Sequence, residues 1–151
     1  GLTPVFTAVE KRLDPGAGQL AARGLSVPHY FLDDAGGAGT IIGALSRMEL
    51  VVSMRLHALI FSAGQGIPLA GVVYDPKVSA FLRYIGQELF VDLADLTEEN
   101  LRQMIDRCVV QARDPGAQEA AVARLQEMER GNVRIARRLL GLPETNTQAS
   151  Q

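Results

Sequence analysis

The chain has 151 residues, 47% of them hydrophobic and 21% charged, with a net charge of -2 at pH 7. This length and composition are typical of about one globular domain with its own core. A balance so close to neutral gives no electrostatic basis for binding nucleic acid. One cysteine, Cys108, excludes an internal disulfide, and we interpret it as a small buried helix residue.

Strands and helices alternate along the first 96 residues. Runs of strand-forming residues predict strands over 4–9, 27–32, 50–53, 67–73 and 88–91. Helices are predicted over 17–23, 41–48 and 78–84, and in the apolar run that follows Arg55. Asp14-Pro15-Gly16 is interpreted as a break, and Gly24 as the end cap of the first helix. The alternation predicts a Rossmann-like α/β fold, a parallel sheet with helices on both faces, with 3-2-1-4-5 as the default strand order.

A glycine-rich turn over residues 33–40 leads into the second helix. Free N–H groups at such a helix start can hold phosphate, but the turn matches neither a dinucleotide-binding nor a Walker A pattern. A plain flexible turn is therefore favoured. Asp33 and Asp34 could coordinate a metal, but no third carboxylate is placed beside them, and we expect no metal.

Two helices are predicted after residue 96. Thr97 caps the first, Glu98 and Glu99 lie in its first turn, and its buried stripe is formed by Leu101, Met104, Ile105 and Cys108. The second restarts at Asp114-Pro115 and runs to about Leu140. We expect residues 97–142 to pack on the same domain as residues 1–96, and residues 143–151 to be disordered.

The end of the last helix combines arginines with an apolar stripe. The arginines predict a basic patch of Arg130, Arg134, Arg137 and Arg138. The patch is either a solvated helix end or a contact with anionic lipid or with another part of the protein. The stripe around Val133, Ala136 and Leu140 is expected to lack a partner within this chain.

Ionisable residues follow the ends of the third and fourth strands: Arg55, His57, Asp75 and Lys77. Because ligands bind at the carboxyl ends of parallel strands, we expect these residues on one rim of the sheet. An arginine offers a planar fork for carboxylate or phosphate, a helix start adds N–H groups, and a histidine titrates near neutral pH. The combination suits an anionic substrate that also needs a proton moved.

Plainer interpretations exist for the same residues. Arg55 could pair with a loop carboxylate such as Asp75, and His57 could be a core histidine with its hydrogen bonds satisfied. Lys77 could be a solvated turn residue, and Asp75 is expected mainly to form the turn and cap the helix. Two further residues are expected to pack in the core or at a strand edge: His29 and Tyr74.

The run from Met54 to Phe61, followed by Gly66-Ile67-Pro68 and Tyr74-Asp75-Pro76-Lys77, resembles the polysaccharide pyruvyl transferases. The similarity is to their C-terminal half, in particular in the bacterial cell-wall (CsaB-like) branch. It is tight over about residues 48–82 and looser elsewhere. It implies the C-terminal domain of a two-domain protein with glycosyltransferase-B-like architecture, whose N-terminal half is the partner of this one.

The resemblance implies transfer of the pyruvyl group of phosphoenolpyruvate to a sugar of a cell-wall polysaccharide precursor, forming a pyruvate ketal. Phosphoenolpyruvate is the donor substrate, and no cofactor is implied. Arg55 and His57 would belong to the active site, with His57 moving the proton, Arg55 binding the anion and Lys77 assisting beside Asp75. The acceptor would be lipid-linked, which implies a cytoplasmic enzyme at the inner face of the membrane. We expect this chain to be inactive alone.

Two alternatives remain. A nucleotide-sugar-dependent glycosyltransferase of the same two-domain architecture would use the same rim residues. A non-catalytic carbohydrate-binding domain would need surface aromatic residues, whereas aromatic residues are 5% of the chain and lie mostly in apparent core strands.

Overall fold

The computed structural model describes residues 1–10, 12–32 and 36–143. The strands are β1 (Val5–Thr7), β2 (Tyr30–Leu32), β3 (Val51–Ser53), β4 (Leu69–Val73) and β5 (Phe90–Asp92). The helices are α1 (Asp14–Ala22), α2 (Ala38–Leu45), α3 (Leu56–Gly64), α4 (Pro76–Ile85), α5 (Glu98–Gln111) and α6 (Pro115–Leu139), with a 3-10 turn at Leu93–Asp95. Strands alternate with helices and every ladder is parallel, so the predicted α/β class is confirmed.

The strands of the described residues form two separate ladders. β1 pairs with β2, while β4 lies between β3 and β5. The order 3-2-1-4-5 is therefore wrong, because it would place β4 beside β1. β3 and β4 are consecutive strands joined by one crossover helix, α3, and such strands pair more often than not. Val51–Ser53 align residue for residue with Leu69–Gly71.

The core is built around β4, whose five residues are all buried. Leu69 and Val73 pack with residues of α3 and α4. Ala70 packs instead with Met104 and Cys108 of α5. Because successive strand residues point to opposite faces, these contacts show helices on both faces of the sheet, as predicted. Cys108 is fully buried on α5, which confirms its interpretation.

Three helices begin earlier than the sequence predicted. One is α2, which begins at Ala38 rather than residue 41, and the others are α1 and α4. α1 begins at Asp14 rather than residue 17, and α4 at Pro76 rather than residue 78. Each carries a proline within its first two positions, where no intrahelical bond needs the missing N–H. What was interpreted as a break at Asp14 is thus a helix start. Arg23, not Gly24, caps the end of α1. Gly86, with φ of 77°, caps the end of α4.

The second strand is shorter than predicted. β2 begins at Tyr30, whose N–H donates to the Pro4 carbonyl (3.0 Å), so residues 27–29 lie outside the ladder. His29 packs edge-on against the rings of Phe6 and Phe31, which confirms that it is a packing residue. β5 is likewise displaced towards its carboxyl end, at Phe90–Asp92.

The C-terminal helices contact the sheet domain. Thr97 caps α5 as predicted, and its side chain and that of Asn100 each accept the other's N–H. α6 runs without a break through Gly131, and Leu125 in its first half packs on the cluster formed by α3, α4 and β4. The predicted apolar stripe towards the end of this helix is exposed, 48% for Val133 and 73% for Leu140. We call this exposed surface the distal stripe.

The arginines of α6 are partly compensated. Arg130 and Arg134 both pair with Glu127, at 3.6 and 3.0 Å. Arg137 donates from Nε to the carbonyl of Pro143 (2.8 Å). Contact of the patch with lipid or with another domain stays a prediction, and the predicted tail lies outside the described residues after Pro143. In the described part of the chain, no helix is both long and apolar enough to span a bilayer.

Gly71, at the centre of β4, provides a test of the core. A Cβ at this position would overlap the buried side chain of Leu82. We expect Gly71→Ala to lower the free energy of unfolding by about 1–3 kcal/mol through overpacking. The matched control is Gly43→Ala in α2, where a Cβ meets no atom within 4 Å. Because alanine favours a helix more than glycine does, this substitution should raise the free energy of unfolding by roughly 0.5–1 kcal/mol. Urea unfolding measures both changes. An unchanged free energy of unfolding for Gly71→Ala would contradict the close packing of Leu82 against Gly71.

Candidate functional site

The carboxyl ends of β3 and β4 place the predicted residues on one rim. Arg55 caps the start of α3 directly after β3, and Asp75 caps the start of α4 directly after β4. Because β3 and β4 are parallel neighbours, both helix starts lie at the same edge of the sheet. His57 and Lys77, in the first turns of these helices, therefore share this edge.

Arg55 is held by Asp14, the first residue of α1. Its Nε and Nη2 both donate to Asp14 Oδ1, at 3.1 and 2.6 Å. The side chains are 29% and 16% exposed, so the pair is shielded from water over most of its surface. The Ser53 hydroxyl also accepts the N–H of Arg55 (3.0 Å) and fixes the turn between β3 and α3. Arg55 thus has a carboxylate partner, but it is Asp14 and not Asp75.

The other oxygen of Asp14 is equally occupied. Oδ2 accepts the backbone N–H groups of Val9 (3.0 Å) and Glu10 (2.7 Å). Burial raises the pKa of Asp14, but the hydrogen bonds from Arg55, Glu10 and Val9 outweigh it and hold the pKa below its ordinary value of 3.8. The same bond raises the pKa of Arg55. Both side chains are therefore charged throughout the neutral range.

Sequence reasoning missed Asp14. The residue stands 41 positions before Arg55, and it was interpreted only as part of a chain break. One signal was available, since an acidic residue directly before proline is typical of a helix start. Nothing in the sequence pointed to Arg55 as its partner.

Asp14 and Arg55 line a cleft of about 360 Å³ between the two ladders. One wall comes from β1 and α1, the other from β3, and the lining is completed by Val72, Leu93 and Leu96. From this gap the chain proceeds outward in two directions, from β1 to β2 and from β3 through β4 to β5. Such a switch point at the carboxyl ends of strands is where open α/β sheets bind ligands.

His57 lies on the rim but does not line the cleft. Its side chain is exposed, and its ring centroid is 6.1 Å from that of Phe61. No hydrogen bond or ion pair joins it to any residue that the structure describes, so its interpretation as a satisfied core histidine is wrong. Its accessibility is compatible with proton transfer, and that role stays a prediction.

A second ion pair occupies the start of α4. Asp75 Oδ1 accepts the N–H of Lys77 (2.9 Å), which confirms it as a helix cap, and its Oδ2 lies 3.3 Å from Lys77 Nζ. The hydrogen bond to Asp75 raises the pKa of Lys77. Lys77 Nζ also lies 5.7 Å from the centre of the Tyr74 ring. Tyr74 is 44% exposed, so it belongs to the rim and not to the core.

The described residues support neither a cysteine nucleophile nor a metal centre at this site. Burial raises the pKa of Cys108 to about 11, so its thiol is not a nucleophile at neutral pH. Within the described ranges, no three His, Cys, Asp or Glu side chains are grouped to hold a metal. Asp33 and Asp34 lie outside the described residues.

A larger cavity, of about 410 Å³, lies at the opposite edge of the sheet. Its lining is mainly aliphatic and includes Ile67, Pro68, Ile85, Val110 and Leu125. We place the candidate site in the cleft instead, because that edge carries the helix starts and the Asp14–Arg55 pair.

The fold and the cleft define an α/β domain with a candidate ligand site at a topological switch point. Residues 5–76 match the model of the polysaccharide pyruvyl transferase family. The matched segment includes Asp14, Arg55, His57 and Asp75, and it ends before Lys77. It begins further towards the N-terminus than residues 48–82, where the resemblance is tight. No curated protein and no solved structure matches the chain.

The ion pair between Asp14 and Arg55 should contribute to stability near neutral pH and lose this contribution in acid. We expect Asp14→Asn to lower the free energy of unfolding by about 1–3 kcal/mol near neutral pH, because a charged acceptor of several hydrogen bonds is lost. The folded-state pKa of Asp14 lies below 3.8, so its stabilisation is complete above that pH and disappears as pH falls through the folded-state pKa. The difference between wild type and variant should therefore shrink in acid.

Urea unfolding at about pH 7 and about pH 3 measures this difference. The control is Asp106→Asn, which removes the exposed pair with Arg102 on α5 and should change stability little. If the difference in unfolding free energy between wild type and Asp14→Asn stays constant across this pH range, the lowered pKa assigned to Asp14 is contradicted.

Proposed function

We propose that the chain is the C-terminal half of a polysaccharide pyruvyl transferase of the bacterial cell-wall branch and binds phosphoenolpyruvate at the carboxyl-edge cleft. The pyruvyl group is transferred to two hydroxyls of a sugar in a lipid-linked polysaccharide precursor, giving a cyclic ketal and phosphate. One observation carries the proposal: Arg55, within the family-matched segment, is fixed at the cleft beside the start of α3.

The reaction needs one group that donates a proton, and hydrogen-bond donors for the carboxylate and the phosphate of phosphoenolpyruvate. Protonation of the terminal enol carbon leaves an electrophilic carbon that a sugar hydroxyl attacks. The bond from that carbon to the phosphate oxygen then breaks, and a second hydroxyl adds while both hydroxyl protons are lost to base or to phosphate. His57 is assigned the proton transfer, and Arg55 the oxyanion, with free N–H groups at the start of α3 and Lys77 beside Asp75 assisting.

The charges on the rim support a second half. Asp14 offsets Arg55, and Asp75 offsets Lys77. Phosphoenolpyruvate carries both a carboxylate and a phosphate, so this rim has little net attraction for it. We infer that further cations come from a second Rossmann-like half across the cleft, in a glycosyltransferase-B-like arrangement. The distal stripe of α6 offers an apolar surface on which such a half can pack.

The acceptor also suggests a location. A precursor carried on lipid is presented at the inner face of the cytoplasmic membrane, where phosphoenolpyruvate is available. The basic patch on α6 is the part of this chain that we propose for peripheral contact with anionic lipid there.

His57→Ala in the intact enzyme tests the function. We expect turnover to fall by about two to four orders of magnitude, because general acid catalysis contributes on that scale, with little change in affinity for phosphoenolpyruvate. Release of phosphate in the presence of a sugar acceptor is the measurement. His29→Ala, on the packing residue beside Phe31, is the matched control and should stay active. Turnover near wild type for His57→Ala would contradict the assignment.

The 151-residue chain by itself should fold without catalysing the reaction. The core around β4 is self-contained, whereas the cleft is open to water and its cations are compensated. We expect cooperative thermal unfolding and no release of phosphate from phosphoenolpyruvate above background. Activity of this chain comparable to that of the intact enzyme would overturn the two-half arrangement.

A further inference from the structure

The guanidinium of Arg55 is only partly used by Asp14. An arginine has five N–H donors, and Asp14 accepts one from Nε and one from Nη2. These two lie along the side edge of the planar group. One of the remaining donors on Nη1 and the remaining donor on Nη2 form its end edge, and no residue in the described ranges accepts from this edge. Two parallel N–H groups on such an edge match the two oxygens of a carboxylate or a phosphate.

Asp14 is itself held rigidly. Its Oδ2 is bound by two backbone N–H groups of the loop after β1, which leaves the carboxylate little freedom to rotate. Arg55 is therefore tied, through one carboxylate, to the backbone of the neighbouring ladder. An arginine oriented before the ligand arrives loses less conformational entropy on binding than a free one.

We propose that Asp14 is a positioning residue for oxyanion binding: it holds the side edge of Arg55 so that the end edge is presented to a carboxylate or phosphate in the cleft. The inference rests on the proposed function in taking phosphoenolpyruvate as the ligand. Carboxylate and phosphate share the required chemistry, and the experiment separates them.

A different role for Asp14 makes the opposite prediction. If the carboxylate acted only as a counter-charge, it would weaken the attraction of Arg55 for anions, and its removal would tighten binding. If it orients Arg55, its removal weakens binding although the net positive charge rises. The sign of the change in Kd for phosphoenolpyruvate therefore distinguishes the two roles.

The experiment is calorimetric titration of the intact enzyme with phosphoenolpyruvate. We expect Asp14→Asn to raise Kd on the order of tenfold, and Arg55→Lys, which keeps the charge but loses the fork, to raise it at least as much. The double variant should bind no more weakly than Arg55→Lys, since Asp14 acts through Arg55. Parallel titrations with pyruvate and with inorganic phosphate identify the bound oxyanion as the one whose affinity falls in both single variants.

Thermal melts without ligand establish that each variant is folded. If Asp14→Asn does not fold, Asp14→Glu decides, because it keeps the charge but displaces the carboxylate and should also weaken binding. Asp106→Asn, the same change at the exposed pair with Arg102, should bind as wild type. Unchanged or tighter binding by the Asp14 variants, with weaker binding by Arg55→Lys, overturns the positioning role alone. Wild-type binding and turnover by Arg55→Lys would overturn the role of Arg55 in the proposed function.

Discussion

The carboxylate of Asp14 connects two parts of the sheet that have no hydrogen-bonded ladder between them in the described chain. It accepts from the backbone after β1 on one oxygen and from Arg55 after β3 on the other. The cleft exists because β1 and β3 are not paired. The hydrogen bonds of Asp14 join the loop after β1 to Arg55 and so fix the position of both charged side chains. The candidate site therefore depends on a contact between residues far apart in sequence.

Stability and chemistry are located in different regions of the molecule. β4 is buried on both faces and contributes to the clusters with α3 and α4 and with α5. The ionisable residues stand beyond the carboxyl ends of β3 and β4, at the starts of α3 and α4. Parallel strands permit this division, because their interiors are apolar while their ends provide N–H groups and turns. Arg55 lies at the junction: its backbone N–H is bound by Ser53 at the end of β3, and its guanidinium is bound by Asp14 and lines the cleft.

Features with local causes were predictable from the sequence. The cap at Thr97, the buried stripe ending at Cys108, the cap at Asp75 and the end of α4 at Gly86 depend on residues within a turn or two of each other. The early start of α1 was missed because the proline after Asp14 was interpreted as a break, although the geometry of proline also suits the first turn of a helix.

Long-range features were not predictable in the same way. Strand order depends on which buried surfaces meet after collapse, and residues within one strand do not encode it. Arg55 and His57 could be nominated from their types and their place after a strand. The partner of Arg55 and the exposure of His57 depend on the packing of segments distant in sequence. The contact between Asp14 and Arg55 follows only once the loops after β1 and β3 are placed at the same edge.

The separation of the two ladders bears on how this domain can diverge. Where strands are joined by backbone hydrogen bonds, their spacing is nearly invariant, whatever side chains they carry. Across the gap the spacing is set by side chains, and those of Ala17 and Val52 both line the cleft. Exchanges between small and larger residues there can widen or narrow the opening while the core around β4 is left intact. The width of the cleft can thus change during evolution largely independently of thermodynamic stability.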